Sequence, residues 1–305
     1  METQRLKAFA RQGLLAVFAA LALHAHAAAV ADPPATTKHF LWEVASLTNR
    51  IYLYGTIHAG RKEWFPLPAA IEDAFNDSAV LVVEADITDE AAMQRATPAM
   101  LLAPPDTLRN HVDAADYARF VKLLPRYGIT EAQVAPFKPF MAVSMLVFGE
   151  WARNGYLPQY GIDAYLIRRA KAELKPVQEL EGVEAQMKLM QMDEAEAQKL
   201  FAGTVTALED GLTGDQVNGM VDAWRSGDPA KLLAIARKYN DLIPGAREFE
   251  ERLIWSRHEA MLKKLEGYLD DSRDRHFVAV GALHLAGERG LVEMLRKRGY
   301  RVTQK

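Results

Sequence analysis

Hydrophobic and polar residues alternate from residue 40 to residue 56, with a short interruption at residues 47–49. Alternation with a period of two is typical of β-strands, and such an interruption predicts a β-hairpin. Residues 67–78 then keep apolar residues at helical spacing, and residues 79–87 form a near-continuous apolar run. A strand that is apolar throughout is covered on both faces, so we expect a parallel βαβ unit in this span.

The same order of elements returns twice farther along the chain. Residues 161–182 predict a helix followed by a short strand at residues 176–180. Residues 277–303 predict a strand, a helix and a terminal strand. Strands that alternate with helices in this way are typical of an α/β fold.

Helical patterns dominate the two long stretches between these units, at about 90–155 and 183–272. Within the second stretch, the apolar row of residues 246–269 predicts one long helix. We therefore predict an α/β protein with a mixed, largely parallel sheet, flanking helices and helical insertions in the middle of the chain. Residues 30–305 are expected to form a single domain.

Residues 1–29 have the layout of a secretory signal peptide. Three basic residues precede an apolar run from Gly13 to Leu23, and small residues around Ala27 follow it. We expect cleavage near residues 27–29 and a periplasmic or secreted protein. An uncleaved anchor is the alternative, although this run is short for a hydrocarbon core about 30 Å thick.

Charge and cysteine content exclude several classes of function. The formal net charge is −3, and it becomes −5 without residues 1–29, which carry three basic residues and one acidic residue. A mildly acidic protein has no electrostatic footprint for nucleic acid or an anionic membrane. The chain has no cysteine, which excludes disulfides, thiolate ligands and a lipid-modified cysteine. The apolar stretch at residues 140–151 is too short to span a bilayer and predicts a buried helix, so no stable membrane insertion is expected.

Two predicted strands end in the same short pattern, Gly-x-x-His. Gly55 to His58 follows the second strand of the hairpin, and Gly281 to His284 follows the strand near the end of the chain. The histidines are 226 positions apart, but the carboxyl ends of parallel strands meet at one edge of a sheet, where ligands bind. Each histidine taken singly is readily structural, whereas the matching pair indicates one shared site. Glycine suits such a turn because a ligand and a side chain can approach its backbone closely.

Carboxylates and an arginine are predicted at the same edge. Glu84 directly follows an apolar strand and Glu181 closes the short strand at residues 176–180. A carboxylate in such a place needs either a cation of the protein or a metal ion, and for Glu181 a structural ion pair is the simpler interpretation. Arg257 takes an apolar position on the predicted long helix, so it either extends past the row or directs its guanidinium into the site. His39, His111, His258 and His276 have no comparable setting and are expected to be structural or exposed.

Two imidazoles with one or two carboxylates form a nitrogen and oxygen ligand set that suits zinc, manganese, cobalt or iron. Water bound to such an ion becomes a nucleophile near neutral pH, and a spare carboxylate can accept its proton. This chemistry is that of a hydrolase.

Long segments of the chain resemble the bacterial TraB/GumN family, relatives of the Tiki proteases of animals. The similar segments follow the family's order and cover almost all of the chain after residue 29: "FLWEVASLTNRIYLYGTIHAG", "FPLPAAIEDAFNDSAVLVVEADI", "YGIDAYLIRRAKAELKPVQELEG", "AWRSGD" and "FVAVGALHLAGERGLVEMLRKRGYRV". The resemblance implies an α/β fold and hydrolysis that depends on manganese or cobalt, by proteases that cut near the amino terminus of secreted proteins. By position it makes His58 and His284 the paired histidines and Glu84 the acidic residue. The family's Arg-Asn pair falls on Arg257 and His258, so the arginine is kept and a histidine stands where asparagine is usual.

Together these observations predict a divalent-metal-dependent hydrolase that acts on peptides or exported proteins. The predicted metal ligands are His58, His284, Glu84 and Glu181, with Glu84 as ligand or general base and Arg257 as the residue that stabilises substrate or transition state. Two alternatives remain open. One is a metal-free hydrolase with a histidine base, as the similar erythromycin esterases suggest, and the other is a non-catalytic periplasmic protein that binds a metal or haem.

Overall fold

The computed structural model describes residues 38–270 and 272–305. Residues 1–29, predicted to be a signal peptide, lie outside the described residues. The described strands form one six-stranded sheet in the order β4-β3-β5-β2-β1-β6. Their bounds are β1 Leu41–Ala45, β2 Arg50–Thr56, β3 Val80–Val83, β4 Val177–Glu179, β5 His276–Gly281 and β6 Arg301–Gln304.

The sheet is mixed and largely parallel, as the sequence predicts. Strand β1 runs antiparallel to β2 and to β6, while β5 runs parallel to β2 and β3, and β3 runs parallel to β4. The predicted hairpin is β1 and β2. Strands β2 and β3 run in the same direction with a helix between them, but β5 from the end of the chain lies between them in the sheet. The carboxyl ends of the four parallel strands therefore share one edge.

Helices cover the sheet and fill the two long middle stretches. Their bounds are α1 Ala69–Asp77, α2 Glu90–Ala96, α3 Ala114–Leu123, α4 Glu131–Val134, α5 Pro139–Arg153, α6 Ile162–Ala172, α7 Val183–Leu189, α8 Glu194–Glu209, α9 Leu212–Arg225, α10 Pro229–Asn240, α11 Ala246–Leu253, α12 His258–Asp270 and α13 Leu291–Lys297. The apolar stretch at residues 140–151 lies in α5, and none of the helices in the described part of the chain is long and apolar enough to cross a membrane.

The core lies where the sheet meets the helices. All four residues of β3 are buried, and β5 is buried from His276 to Val280. Phe75 of α1 and Leu166 of α6 are fully buried in the same apolar cluster as these strands. Burial on both faces explains why these strands are continuous apolar runs in the sequence.

The prediction of one unbroken helix over residues 246–269 is wrong. Helix α11 ends at Leu253, Ile254 leaves helical geometry with φ −118° and ψ −70°, and a 3-10 turn at Trp255–Arg257 leads into α12. The carbonyl of Leu253 accepts a hydrogen bond at 2.5 Å from Nη1 of Arg257. The break therefore places Arg257 in a turn, from which its side chain enters the edge of the sheet.

Candidate functional site

The two Gly-x-x-His segments meet because their strands are neighbours. Thr56 of β2 pairs with Gly281 of β5, so the two strands end at the same level of the sheet. His58 and His284 line one cavity of about 340 Å³, and Glu84, Asp163 and Arg257 line it with them. The predicted convergence of residues that are far apart in sequence is thus present at the carboxyl edge of the sheet.

Glu84 is held at the end of β3 by its neighbours on both sides. Its Oε1 accepts a hydrogen bond from the backbone N–H of Gly281 at 2.7 Å, and its Oε2 accepts from Nε2 of Gln186 at 2.9 Å. The guanidinium of Arg257 and the N–H of Gly281 stabilise the charged form of Glu84 against the cost of burial. Glu84 is therefore an ionised carboxylate with a fixed orientation.

Arg257 joins the two predicted carboxylates. Its Nη2 donates to Oε2 of Glu84 at 2.5 Å and also to Oε2 of Glu181, and its Nε donates to Oε1 of Glu181 at 2.9 Å. Its Nη1 donates to the carbonyl of Leu253 and lies 3.2 Å from Nε2 of His284. A guanidinium has five N–H donors, and these five acceptors account for all of them. Arg257 thus orients the site rather than extending past the apolar row, and the partner of Glu181 is this arginine.

His58 is the exposed histidine of the pair. Its Nδ1 lies 2.8 Å from Oδ2 of Asp163, and 66% of its side-chain surface is accessible. Asp163 is held in turn by the hydroxyl of Thr56, which donates to its Oδ1. The negative charge of Asp163 and its hydrogen bond to the ring raise the pKa of His58 to about 9. At neutral pH His58 is therefore a cation that presents Nε2–H to the cavity.

Asp163 is the main site residue that sequence reasoning missed. It lies in the first turn of α6, and the N–H of Ile162 donates to the carbonyl of Ile57 at 3.0 Å, which fixes this helix start against the His58 loop. A Cβ at Gly161 would lie 2.4 Å from the carbonyl oxygen of His58, so only glycine allows this approach. A glycine directly before a helix whose first turn carries an aspartate was the available signal.

His284 is the buried histidine of the pair, with 2% of its surface exposed. Its Nδ1 lies 2.9 Å from Nε2 of His258, whose Nδ1 lies 2.7 Å from the carbonyl oxygen of Arg289. Burial is the largest cause that lowers the pKa of His258 to about 4. His258, which the sequence pattern left among the structural or exposed histidines and the family resemblance placed in the Arg-Asn pair, is buried and lies directly against a candidate site residue.

The other side of the cavity is apolar and comes from the helical insertions. Its large side chains belong to α5, α9, α10 and the end of α7, and they include Phe148, Trp151, Met190, Met220, Trp224 and Leu232. The cavity therefore has a charged edge formed by the strand ends and an apolar wall formed by helices. This division suits a substrate with an apolar group next to a polar reacting bond.

The predicted metal site is only partly matched by this geometry. Oε2 of Glu84 and Nε2 of His284 are 3.5 Å apart, close to the roughly 3.4 Å expected between two tetrahedral ligands that are each about 2.1 Å from an ion. However, in residues 38–270 and 272–305 no group of three or more His, Asp or Glu side chains is arranged to hold a metal ion. The guanidinium of Arg257 lies between the carboxylates instead. The residues do not fit an ion in this arrangement, and ligation by His58, His284, Glu84 and Glu181 stays a prediction.

The fold and the site define an α/β protein in which parallel strand ends bring two histidines and a glutamate to one cavity, where an arginine and an aspartate from the helical segments join them. The chain belongs to the TraB/PrgY/gumN family, whose sequence model matches residues 40–304. This confirms the family resemblance found in the sequence.

Individual relatives include bacterial and animal proteins. The chain is 28% identical to the uncharacterized protein YbaP of Escherichia coli over 272 residues, which are 85% of this chain and 94% of YbaP. It is 23% identical to the metalloprotease TIKI homolog of Amphimedon queenslandica over 88% of this chain and 62% of the relative. It is 22% identical to metalloprotease TIKI1 of Danio rerio over 88% of this chain and 64% of the relative. No solved structure matches the chain significantly.

Proposed function

We propose that the protein is a metal-dependent hydrolase that cleaves peptide bonds in peptides or exported proteins. The observation that carries the proposal is the pair of strand-end histidines, one cationic and open, the other buried, on the edge of a single cavity. The animal relatives at 22–24% identity are named metalloproteases, and this supports both the reaction and the metal requirement. The chain spans less than two thirds of the length of these relatives.

His58 is assigned the role of acid instead of that of metal ligand, because a protonated imidazole has no electron pair to give to an ion. Its Nδ1 is engaged by Asp163, so Nε2–H is the group that faces the cavity. A cationic imidazole at this place can donate a hydrogen bond to the developing oxyanion and then a proton to the leaving amine. The pKa of about 9 keeps this proton in place at neutral pH.

His284 is assigned the complementary role of electron-pair donor. Arg257 Nη1 can only donate, so the Nε2 of His284 that faces it accepts. A bare imidazole nitrogen can take a proton from water or bind a cation. Arg257 and Glu84 act indirectly, since every donor of the guanidinium is used by Glu84, Glu181, His284 or the carbonyl of Leu253.

A metal-free hydrolase is the second candidate, and Arg257 is the observation that favours it. The guanidinium already supplies the positive charge between Glu84 and Glu181, as a metal ion would. Both candidates share the acid role of His58. They differ in whether chelation abolishes the reaction.

The substrate is proposed to carry a large apolar side chain beside the cleaved bond, because the helices contribute aromatic, methionine and leucine side chains to the lining of the cavity. The action outside the cytoplasm is likewise a proposal, which rests on the layout of residues 1–29.

The test is cleavage of a peptide library by protein purified without chelator or histidine tag, with metal content measured by mass spectrometry. The His58→Ala variant is compared with His111→Ala, since His111 is a histidine bound to Asp106 away from the cavity. We expect cleavage beside apolar residues by the parent and by His111→Ala, with loss in His58→Ala and after chelation. Cleavage that resists chelation would select the metal-free candidate. No cleavage by the parent after supply of manganese, cobalt, zinc and iron would overturn the hydrolase proposal and leave a binding protein.

A further inference from the structure

Four groups form a continuous row of hydrogen bonds through the buried side of the site. The row runs from the carbonyl oxygen of Arg289 to Nδ1 of His258 at 2.7 Å, and from Nε2 of His258 to Nδ1 of His284 at 2.9 Å. It ends at Nη1 of Arg257, which is 3.2 Å from Nε2 of His284. Both imidazoles are 2% exposed, so water does not compete for these nitrogens.

The chemistry of the two end groups decides where every proton lies. A carbonyl oxygen only accepts, so Nδ1 of His258 carries a proton. At the other end, Nε2 of His284 lies 3.2 Å from Nη1 of Arg257 and 3.5 Å from Oε2 of Glu84. The nearer group is a guanidinium nitrogen, which only donates, so Nε2 is assigned no proton. Between them, Nδ1 of His284 must donate to Nε2 of His258. In the opposite direction His258 would carry protons on both nitrogens and be an imidazolium, and a neutral His284 would carry its proton on Nε2, facing the N–H of Arg257.

We propose that His258 is a positioning residue that locks His284 in the tautomer with Nδ1 protonated and Nε2 bare. The ring of His258 is itself held by the edge of Trp255, at 5.5 Å between ring centroids and 84° between planes. The lowered pKa of His258 agrees with its role as an acceptor, since a neutral ring keeps Nε2 free to accept.

The consequence for chemistry rests on the proposed function. The nitrogen that would take a proton from water or bind a cation is available in every molecule, and no change of tautomer has to precede the reaction. Partners that fix the tautomer of a reactive histidine typically change affinity or rate by about 10–100-fold when removed. His258 would act on the reaction in this way through His284, without contact with the substrate.

The experiment that tests the lock is long-range proton–nitrogen NMR on protein labelled with ¹⁵N-histidine, in the absence of metal. In the parent we expect Nδ1 of His284 to resonate as a protonated nitrogen and Nε2 as a bare one. His258→Leu removes the acceptor and should mix the two tautomers of His284. His258→Gln restores an acceptor at similar reach and should restore the single tautomer.

The control is His276→Leu, which removes another buried histidine from the start of β5 and should leave the His284 signals in place. The signals of the remaining histidines report whether each variant is folded. A protonated Nε2 in the parent, or unchanged His284 signals in a folded His258→Leu variant, would overturn the inference. The peptide assay adds a separate readout, in which kcat of His258→Leu is expected to fall about 10–100-fold with less change in KM. If no peptide is cleaved at all, the proposed function fails while the NMR result still decides the tautomer.

Discussion

His58 and His284 end the same sequence pattern on neighbouring parallel strands, yet the molecule gives them opposite environments. His58 is largely exposed, paired with the carboxylate of Asp163 and cationic at neutral pH. His284 is buried and paired with the neutral ring of His258. The motif therefore determines where each imidazole lies, while the partner on Nδ1 differs between the two. With the tautomer proposed for His284, such a pair supplies an acid and an electron-pair donor at one site.

Arg257 pairs with both carboxylates on the His284 side of the site. Arg257→Gln leaves Glu84 and Glu181 buried without their cation, and loss of one partner of a buried ion pair typically costs about 3–5 kcal/mol. We expect a loss of this size in the free energy of unfolding, measured in urea.

The matched control is Arg252→Gln. Arg252 pairs with Glu196 while 30% of its side chain is exposed, and a pair of this kind contributes about 0–1 kcal/mol. Equal losses in the two variants would mean that the buried cluster does not stabilise the site. Manganese or zinc that raises the Tm of Arg257→Gln but not that of the parent would show that the guanidinium and an ion compete for Glu84.

Asp163→Asn should remove the positive charge that His58 carries at neutral pH. The carboxylate is the largest cause of the raised pKa of His58, so we expect that pKa to fall from about 9 towards its ordinary value, a decrease of about two units. NMR titration of the His58 ring measures it. The signals of His284 should stay unchanged, and a His58 pKa that remains near 9 in the variant would contradict the assignment of its partner.

The positions of His58, Glu84 and His284 could be predicted because their signals are local. An apolar run marks a strand, and the residues that follow it lie at the strand end. The parallel direction of β2, β3 and β5 then brings those ends together. The sequence did not show that β5 lies between β2 and β3, since this order depends on pairing between segments about 200 residues apart.

The partners of the two histidines could not be predicted, because both are set by the packing of helices. Asp163 reaches His58 across 105 positions, and it does so only because Gly161 lets α6 start against the His58 carbonyl. His258 reaches His284 because the chain breaks at Ile254, although the apolar row continues through the break to Met261 and Leu265. Periodicity alone predicted an unbroken helix and therefore a different direction for the side chains that follow.

The glycines that begin the two Gly-x-x-His motifs differ in how closely other atoms approach them. A Cβ at Gly55 would lie 2.6 Å from Cδ1 of Phe40 and 3.0 Å from the Cα of Ala282, whereas a Cβ at Gly281 would meet Oε1 of Glu84 at an ordinary 3.4 Å. We expect Gly55→Ala to lower the free energy of unfolding by about 1–3 kcal/mol, and Gly281→Ala to change it by less than about 1 kcal/mol. Urea unfolding of the two variants side by side is the measurement. Equal effects would mean that the shared glycine has one role in both motifs.

The smallest expected effect is the pH dependence that the pair of His58 and Asp163 gives to the free energy of unfolding. The pKa of His58 is about 9 in the folded protein and about 6.5 in the unfolded chain. Its protonation therefore stabilises the fold fully below about pH 6.5, and this contribution disappears as the pH rises through about 9. Because the side chain is 66% exposed, we expect the contribution to stay below about 1 kcal/mol.

The difference in free energy of unfolding between the parent and His58→Gln isolates this contribution, because other titrating groups act equally on both proteins. That difference should shrink between about pH 6 and pH 10 in metal-free protein. His258 predicts the opposite sign, since its pKa of about 4 makes its contribution present above about pH 6.5 and lost as the pH falls through about 4. A His58→Gln difference that is constant with pH would remove the charge on which the contrast between the two histidines depends.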